Sequence, residues 1–418
     1  MKKETLDTSE QVKPDVKAEH ISEGDATSGK NHEIKHKKAI SLETFVFLVL
    51  FLGLFGYLGY VMGVDNMFNT LMNTAHYLLI DVVFFIMAIA VLAGAISALF
   101  SEFGVVALAN KLISRVMRPV YGLPGAASLG IVTTYLSDNP AIISLANDKG
   151  FKKFFRNYEL PTLCNLGTAF GMGFVLTTFM IGLGKGTEYI GAALIGNLGA
   201  IIGSVVSVRI MRHYSKKFYG IKKGQKLETT ETANMNRRLI REGSIFERTL
   251  DAILEGGKSG VDMGIAIIPG VLIICTLVMM LTFGPSEYVD GVAIYTGAKK
   301  EGIAFFPLLG EWLSPVLKPL FGFNSAEAIS FPITSLGSVG AAMGMLKGFV
   351  EKGIITANDI AVFTAMGMCW SGYLSTHVGM MDALGVRKLT SKAILSHTIG
   401  GLVAGISAHW ICMALGIA

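Results

Sequence analysis

The chain has 418 residues, of which 51% are hydrophobic and only 16% are charged, and its formal net charge is +5. Soluble globular proteins carry about 25% charged residues, so the composition excludes a soluble enzyme, a disordered protein and a nucleic-acid binder. The charges are also segregated. Residues 1–40 hold 8 Lys and 8 acidic residues, and residues 209–251 hold 11 Lys or Arg and 5 acidic residues. Charge confined to tails and loops is typical of a membrane protein, whose partner is the lipid bilayer and not nucleic acid.

The N-terminal part of the chain predicts a tail and an anchor. Residues 1–40 are polar and mix both charge signs, which predicts a disordered cytoplasmic tail. An N-terminal transmembrane helix is expected within 41–70. Its apolar run follows a leader too long for a signal peptide, and no small-residue cleavage site comes after it, so it should remain as an anchor. The cysteines have no metal or redox spacing and are interpreted as small apolar residues. They are Cys164, Cys275, Cys369 and Cys412.

Apolar stretches of about 20 residues, long enough to cross a bilayer, recur along the whole chain. They are 44–64, 79–100, 159–183, 188–210, 259–282, 359–381 and 394–416. Two further apolar stretches, 125–147 and 325–346, contain helix breakers. The first is interrupted at 137–140 (Ser-Asp-Asn-Pro), and the second at 334–340, which includes two glycines. Proline and clustered glycine interrupt helices, so both stretches are expected to bend.

Basic loops predict the sidedness of these segments, because Lys and Arg concentrate on the cytoplasmic face. The tail and the loops 101–123, 148–157 and 211–248 are then cytoplasmic. Stretch 125–147 therefore begins and ends on the inner face, as a re-entrant hairpin. The same rule places loop 382–393 inside, so that stretch 325–346 is a second hairpin entering from outside and the C-terminus is also outside. Lys347 and Lys352 lie on the expected outer side, against the rule.

Sequence self-similarity supports two related halves. A shift of 200 residues gives 8 identities in the 30 positions 113–142, among them Pro119 with Pro319 and Gly122 with Gly322. Chance similarity between apolar segments is the alternative. The predicted fold class is an all-α polytopic membrane protein with two inverted-topology repeats, each with a re-entrant hairpin, plus one extra N-terminal transmembrane helix. The repeats are expected at 71–210 and 251–418, joined by a basic cytoplasmic loop at 211–250. Secondary transporters commonly have this construction.

Three segments resemble a known family. They are similar to parts of the nucleoside-recognition, or Gate, domain. The three segments are 118–124 (RPVYGLP), 318–323 (KPLFGF) and 370–385 (WSGYLSTHVGMMDALG). Over residues 70–416 the chain resembles YjiH-like bacterial membrane proteins, with a more distant similarity to concentrative nucleoside transporters and spore-maturation proteins. The resemblance implies a multi-pass protein of the bacterial plasma membrane that moves a small polar solute, possibly nucleoside-like. It implies no resident cofactor, although H⁺ or Na⁺ could be a coupling ion, and a homo-oligomer stays open.

Polar side chains at the helix breaks are the main candidates for a site, because a polar group inside lipid is costly. Asp138 comes first, for solute binding or ion coupling, although it could be only a helix cap. Glu327 is the single acid of the second hairpin and has the same two candidate roles, although it could be an interfacial first-turn acid. The other solute-binding candidates are Ser137, Asn139, Thr134, Asn165, Thr168, Asn324, Thr334, Ser335, Ser338, Ser375 and Thr376.

Two further residues are candidates for ion coupling. His377 lies five residues before Asp382, and histidine titrates near neutral pH, which suits proton transfer. A histidine that is only hydrogen-bonded to the backbone or to a neighbouring serine is the alternative. Asn197 and Asp262 also lie within apolar spans and rank second, and Asp262 is close enough to the inner end of its span to be an interface residue instead. The sequence thus predicts a secondary transporter and no enzyme. A non-transporting structural or signalling subunit of the spore-maturation type is the alternative function.

Overall fold

A computed structural model describes residues 38–147, 149–184, 187–221 and 240–417. The predicted tail and most of the predicted basic loop lie outside the described residues. By its contacts the chain divides after Gly53, and the cavity and all contacts discussed below lie in the second unit, Leu54–Ala418. The domain boundaries expected from the sequence stay predictions.

The described residues are mostly helical, as the sequence predicts. Short π-helical turns at Leu78–Val83, Met117–Tyr121 and Gly270–Cys275, and 3₁₀ turns at Gly125–Ala127, Ala326–Ile329 and Arg387–Leu389, join some helices. The α-helices are α1 (Leu42–Met62), α2 (Val64–Tyr77), α3 (Phe84–Glu102), α4 (Val105–Val116), α5 (Ser128–Leu136), α6 (Pro140–Asn147), α7 (Lys149–Lys152), α8 (Thr162–Thr168), α9 (Gly173–Gly182), α10 (Glu188–Phe218), α11 (Ile245–Pro269), α12 (Thr276–Thr282), α13 (Phe305–Phe321), α14 (Ser330–Ser335), α15 (Val339–Glu351), α16 (Ala357–Cys369), α17 (Tyr373–Ala383) and α18 (Thr390–Leu415).

Six helical segments of the described chain are long and apolar enough to cross a membrane. Some of them join two helices end to end, such as α2 with α3 and α11 with α12. They are Leu42–Met62, Val64–Glu102, Thr162–Gly182, Glu188–Phe218, Ile245–Thr282 and Arg387–Leu415. The prediction of an all-α, multi-pass membrane protein is confirmed. No hydrocarbon-spanning structure other than a helix or a closed barrel can satisfy its own backbone hydrogen bonds in lipid.

A small β-hairpin follows α12. Strand β1 (Glu287–Val289) pairs antiparallel with β2 (Val292–Ile294), with Glu287 opposite Ile294. The two turn residues, Asp290 and Gly291, both have positive φ, of 50° and 79°. This is the conformation that a two-residue Asp-Gly hairpin turn requires. Phe103-Gly104 matches Phe283-Gly284 at a shift of 180 residues, so the second half has about twenty extra residues near 285–304, and the hairpin lies within them.

The loop that carries this hairpin is held by one buried carboxylate. Glu301 is 1% exposed, and it accepts hydrogen bonds from the side chains of Thr70, Ser286 and Thr296 and from the backbone N–H groups of Thr296 and Gly297. Burial would raise the pKa of Glu301, but these donors favour the charged form and lower its pKa below the ordinary value. The bond from Thr70 ties the loop to α2.

Four helix breaks define the interior. The hairpin breaks are where the sequence predicts them, between α5 and α6 and between α14 and α15. The structure adds two breaks that the sequence does not predict, within the expected spans 159–183 and 359–381. They separate α8 from α9 and α16 from α17. Met172 and Gly372 directly precede the second helix of each pair, with φ of 52° and 56°. A left-handed residue cannot continue a right-handed helix, so each span is divided in two.

The two halves share these features at the same spacing. Left-handed residues occur in pairs 200 positions apart: Gly104 with Ala304, Gly122 with Gly322, and Met172 with Gly372. The order of elements also repeats, with a hairpin followed by a broken helix and then by a long helix, α10 or α18. These pairs support an internal repeat. The opposite orientation of the two copies in the membrane stays a prediction.

Close helix packing holds the long elements together. Helix α10 packs along α16 and α18, and α3 packs along α11. A Cβ atom built at Gly94 of α3 would lie 2.3 Å from the carbonyl oxygen of Gly256 in α11, and a Cβ built at Gly256 would lie 2.3 Å from that of Gly94. Only glycine allows this approach, which brings the two backbones into contact as small residues do in membrane proteins.

Candidate functional site

A cavity of about 610 Å³ lies where the tips of the two hairpins meet the two helix breaks and one face of α11. Its wall is formed by loop backbone, small side chains and a few polar groups. The lining residues are Ser137, Asp138, Asn139, Ala141, Met172, Ser259, Asp262, Met263, Ala266, Ile267, Gly270, Gly337, Ser338, Val339, Gly340, Ser371, Gly372, Ser375 and Thr376. Irregular backbone at membrane depth is tolerated where it lines such a cavity, because water or a ligand can satisfy the freed groups.

Asp138 lies two residues before α6, at the tip of the first hairpin. Its Oδ1 accepts the backbone N–H of Asn139 at 2.7 Å, and its carbonyl oxygen accepts the N–H of Ala141 at 3.0 Å. The carboxylate therefore bonds the residue directly before α6, and its role as a helix cap stays a prediction. It also lines the cavity, and no ion pair joins it to a cationic side chain of the described chain. The bond to Asn139 leaves other lone pairs of the carboxylate free for a ligand.

Asn139 links the first hairpin to the break between α16 and α17. Its side-chain amide donates a hydrogen bond to the carbonyl oxygen of Ser371. Its Oδ1 has no hydrogen-bond partner in the described residues, although the side chain is only 4% exposed. A Cβ built at Gly171 would lie 2.3 Å from this Oδ1, so the glycine makes room for the amide. The Asn139 Oδ1 is thus enclosed against Gly171 and has no donor among the described residues.

The second hairpin meets the same break. Ser338 caps α15, with its Oγ accepting the N–H of Ala341 at 3.2 Å. The backbone N–H of Gly372 donates to the carbonyl oxygen of Ser335 at 3.3 Å. The pair Ser371–Gly372 therefore receives contacts from both hairpins and couples their tips. Sequence reasoning does not single out Ser371 for the site beyond its place in an apolar span, but the adjacent glycine is a signal for a break.

Helix α11 supplies the remaining wall. Ser259, Asp262, Met263 and Ala266 follow the spacing of one helix face. Asp262 is exposed on that face, so a residue that ranks second by sequence joins Asp138 in the cavity wall.

Of the candidate site residues, the structure brings six to the cavity. These are Ser137, Asp138, Asn139, Ser338, Ser375 and Thr376. Four others are not among the lining residues, and their hydroxyls donate to backbone carbonyl oxygens within their own helical segments. They are Thr134, Thr168, Thr334 and Ser335, with hydrogen bonds of 2.6, 2.7, 2.7 and 2.9 Å. Glu327 accepts a hydrogen bond from Ser325 at 2.8 Å, and Asn324 is exposed; neither lines the cavity. Their role in binding stays a prediction.

A separate polar cluster lies behind the cavity. Asn165 donates to Ser207, Ser396 and the carbonyl oxygen of Ala393 at 2.9–3.1 Å. The Nδ1 of His397 lies 3.0 Å from the Ser207 hydroxyl. This cluster joins α8, α10 and α18 through fully buried hydrogen bonds.

The predicted pairing of His377 with Asp382 is not present. His377 is completely buried, with its Nδ1 2.8 Å from the carbonyl oxygen of Tyr373 and its ring centroid 4.8 Å from that of His397. Asp382 instead lies 3.5 Å from Arg387, with both side chains partly exposed. The backbone-bonded alternative for His377 describes its geometry, and its role in ion coupling stays a prediction.

Comparison with known proteins supports the fold and leaves the family open. No family model matches the chain, and no curated protein matches it in sequence. The structure resembles that of a variant of the concentrative nucleoside transporter CNTnw in the intermediate 2 state, with a TM-score of 0.50, 14% identity, and coverage of 89% of this chain and 85% of that chain. CNTnw in an inward-facing substrate-bound state gives a TM-score of 0.49 and 15% identity, over 88% and 84% of the two chains. At this identity the likeness concerns the fold alone. The resemblance to Gate and YjiH-like proteins stays a prediction.

Proposed function

We propose that this protein is a secondary transporter that moves a small polar solute across a bacterial plasma membrane by alternating access. The observation that carries the proposal is the cavity formed by four interrupted helices. In each interruption the backbone is freed from helical pairing and can contact a solute. The cavity volume of about 610 Å³ is in the range of small-molecule sites, which is roughly 300–1,000 Å³.

The two hairpins provide a means of alternating access. Both tips contact the break at Ser371–Gly372, so a solute lodged among them touches both halves of the chain. We expect the hairpins to enter from opposite leaflets, with the N-terminus cytoplasmic and the C-terminus outside. Movement of one tip would then open the cavity toward one side while the other tip keeps it closed.

Asp138 is the proposed site of ion coupling. Its carboxylate lies at a helix break within an apolar stretch and has no cationic side chain paired with it among the described residues. A carboxylate in that setting can be neutralised by a proton or by Na⁺, which would link solute movement to an ion gradient. A nucleoside is one candidate cargo, from the resemblance found in the sequence.

The test is uptake by proteoliposomes under imposed H⁺ or Na⁺ gradients, with uridine and other radiolabelled polar solutes as probes. We expect gradient-driven accumulation by the wild-type protein and its loss in Asp138→Ala. The matched control is Asp251→Ala, which removes an exposed carboxylate of α11 outside the cavity wall. Absence of uptake of every probe by well-folded wild-type protein would favour the structural or signalling alternative. Full uptake by Asp138→Ala would remove this residue from the coupling site.

A further inference from the structure

The cavity wall carries charge of only one sign. Asp138 from the first hairpin and Asp262 from α11 both line it, and the lining residues include no Lys, Arg or His. Neither aspartate forms an ion pair with another described residue. Uncompensated carboxylates within a membrane-spanning region are costly, and a cationic ligand would offset that cost.

The charged groups of the wall have a matching preference in hydrogen bonding. An ionised carboxylate accepts hydrogen bonds and donates none. A protonated amine offers three donors and no acceptor, so it complements both carboxylates. A neutral sugar or base would bring acceptors as well as donors, and it would leave the negative charge uncompensated.

The size of the cavity favours an organic ligand over a single metal ion. A bound metal ion needs several oxygen ligands within about 2.0–2.6 Å. The described residues contain no group of three or more His, Cys, Asp and Glu side chains that could hold one. A volume of about 610 Å³ instead suits a small organic molecule.

We propose that the cavity binds an organic cation, a small solute with at least one protonated amine, and that Asp138 and Asp262 are its anionic contacts. The inference rests on the proposed transport function and specifies its cargo. One carboxylate comes from each half of the chain, so the cation bridges the hairpin to α11. An anionic solute would face two carboxylates and no cationic side chain among the described lining residues.

Ligands that differ only in charge can test this proposal on the purified full-length protein. Putrescine carries two amines, aminobutanol carries one, and butanediol carries none, while all three have the same four-carbon chain. Dissociation constants measured by calorimetry at neutral pH should decrease from butanediol to aminobutanol to putrescine, so that putrescine binds most tightly. We expect at least a tenfold difference between the two ends of the series.

Variants of Asp262 show whether the carboxylate is responsible. Asp262→Asn should weaken putrescine binding about tenfold, Asp262→Glu should restore most of it, and Asp251→Asn should leave it unchanged. Equal affinities across the series, absence of amine binding, or wild-type affinity in Asp262→Asn would each overturn the proposal. If Asp262→Asn elutes as an aggregate, Asp138→Asn takes its place with the same expectation.

The proposed function can be judged independently. Coupled uptake of uridine without any amine binding would leave a transporter whose cargo is not cationic. Amine binding without uptake of any probe would retain the site and refute the transport function.

Discussion

Gly171 offers a direct test of how the first hairpin is held. It precedes α9, at the break between α8 and α9. In the Gly171→Ala variant the new Cβ would lie 2.3 Å from Oδ1 and 3.0 Å from Cγ of Asn139, and 3.1 Å from Cβ of Ser371. The Asn139 amide cannot rotate away freely, since it donates to the carbonyl oxygen of Ser371. The substitution should therefore break this link between the hairpin and the second half of the chain.

The expected cost follows from two contributions. Inserting a methyl group into a packed interior costs typically about 1–3 kcal/mol. Loss of one hydrogen bond adds about 0.5–1.5 kcal/mol. The matched control is Gly182→Ala in α9, where the nearest atom to a new Cβ is 4.0 Å away, on Ile89. A methyl group there meets only ordinary van der Waals contact.

The assay is thermal denaturation of the purified variants, followed by size-exclusion chromatography, together with solute uptake. Gly171→Ala should unfold at a lower temperature than Gly182→Ala and should lose uptake. In an Asn139→Ala background Gly171→Ala should lower the stability by less, because the two closest atoms are gone. In the double-mutant cycle, the combined loss of stability should therefore be smaller than the sum of the two single losses. Equal stability of the two glycine variants, or an unchanged cost in the Asn139→Ala background, would refute this account.

Three further predictions concern other parts of the chain. The pKa of Glu301 is lowered in the folded protein. The stability that Glu301 contributes is therefore present above its unfolded pKa of about 4.3 and is lost as the pH falls through the native pKa. Glu301→Gln should abolish this acid dependence of the loop's resistance to proteolysis, and an acid profile like that of the wild type would contradict the prediction. Asn165→Ala removes a donor shared by three buried acceptors and should destabilise the fold by roughly 1–3 kcal/mol in thermal denaturation, whereas an unchanged midpoint would show that the cluster is dispensable. In cells, a membrane-impermeant thiol reagent should label Lys352→Cys and should not label Lys153→Cys until the membrane is opened. All four native cysteines are buried, so they should contribute little background. Labelling of both variants from the same side would contradict the inverted topology.

Some of the site could be predicted from residue type alone. The Ser-Asp-Asn-Pro segment contains a helix breaker and three short polar side chains, and the structure places its first three residues in the cavity wall. Asn165 and His377 show the limit of this reasoning. Both are polar residues in apolar spans, as a site residue would be, but neither lines the cavity, and their hydrogen bonds go to other buried groups. Residue type does not distinguish a polar group facing a cavity from one satisfied in the core.

The sequence by itself determined the class of protein, the membrane-spanning character of the helices and the hairpin breaks. These depend on composition and on local backbone chemistry, which act within a few residues of each position. Only the tertiary structure decided which polar groups share a cavity. Asp138 and Asp262 are 124 positions apart, and the contact of Asn139 with Ser371 joins the two halves of the chain. Such proximity arises from the packing of distant helices and from breaks at Met172 and Gly372, whose left-handed backbone is not encoded by proline or by a run of polar residues.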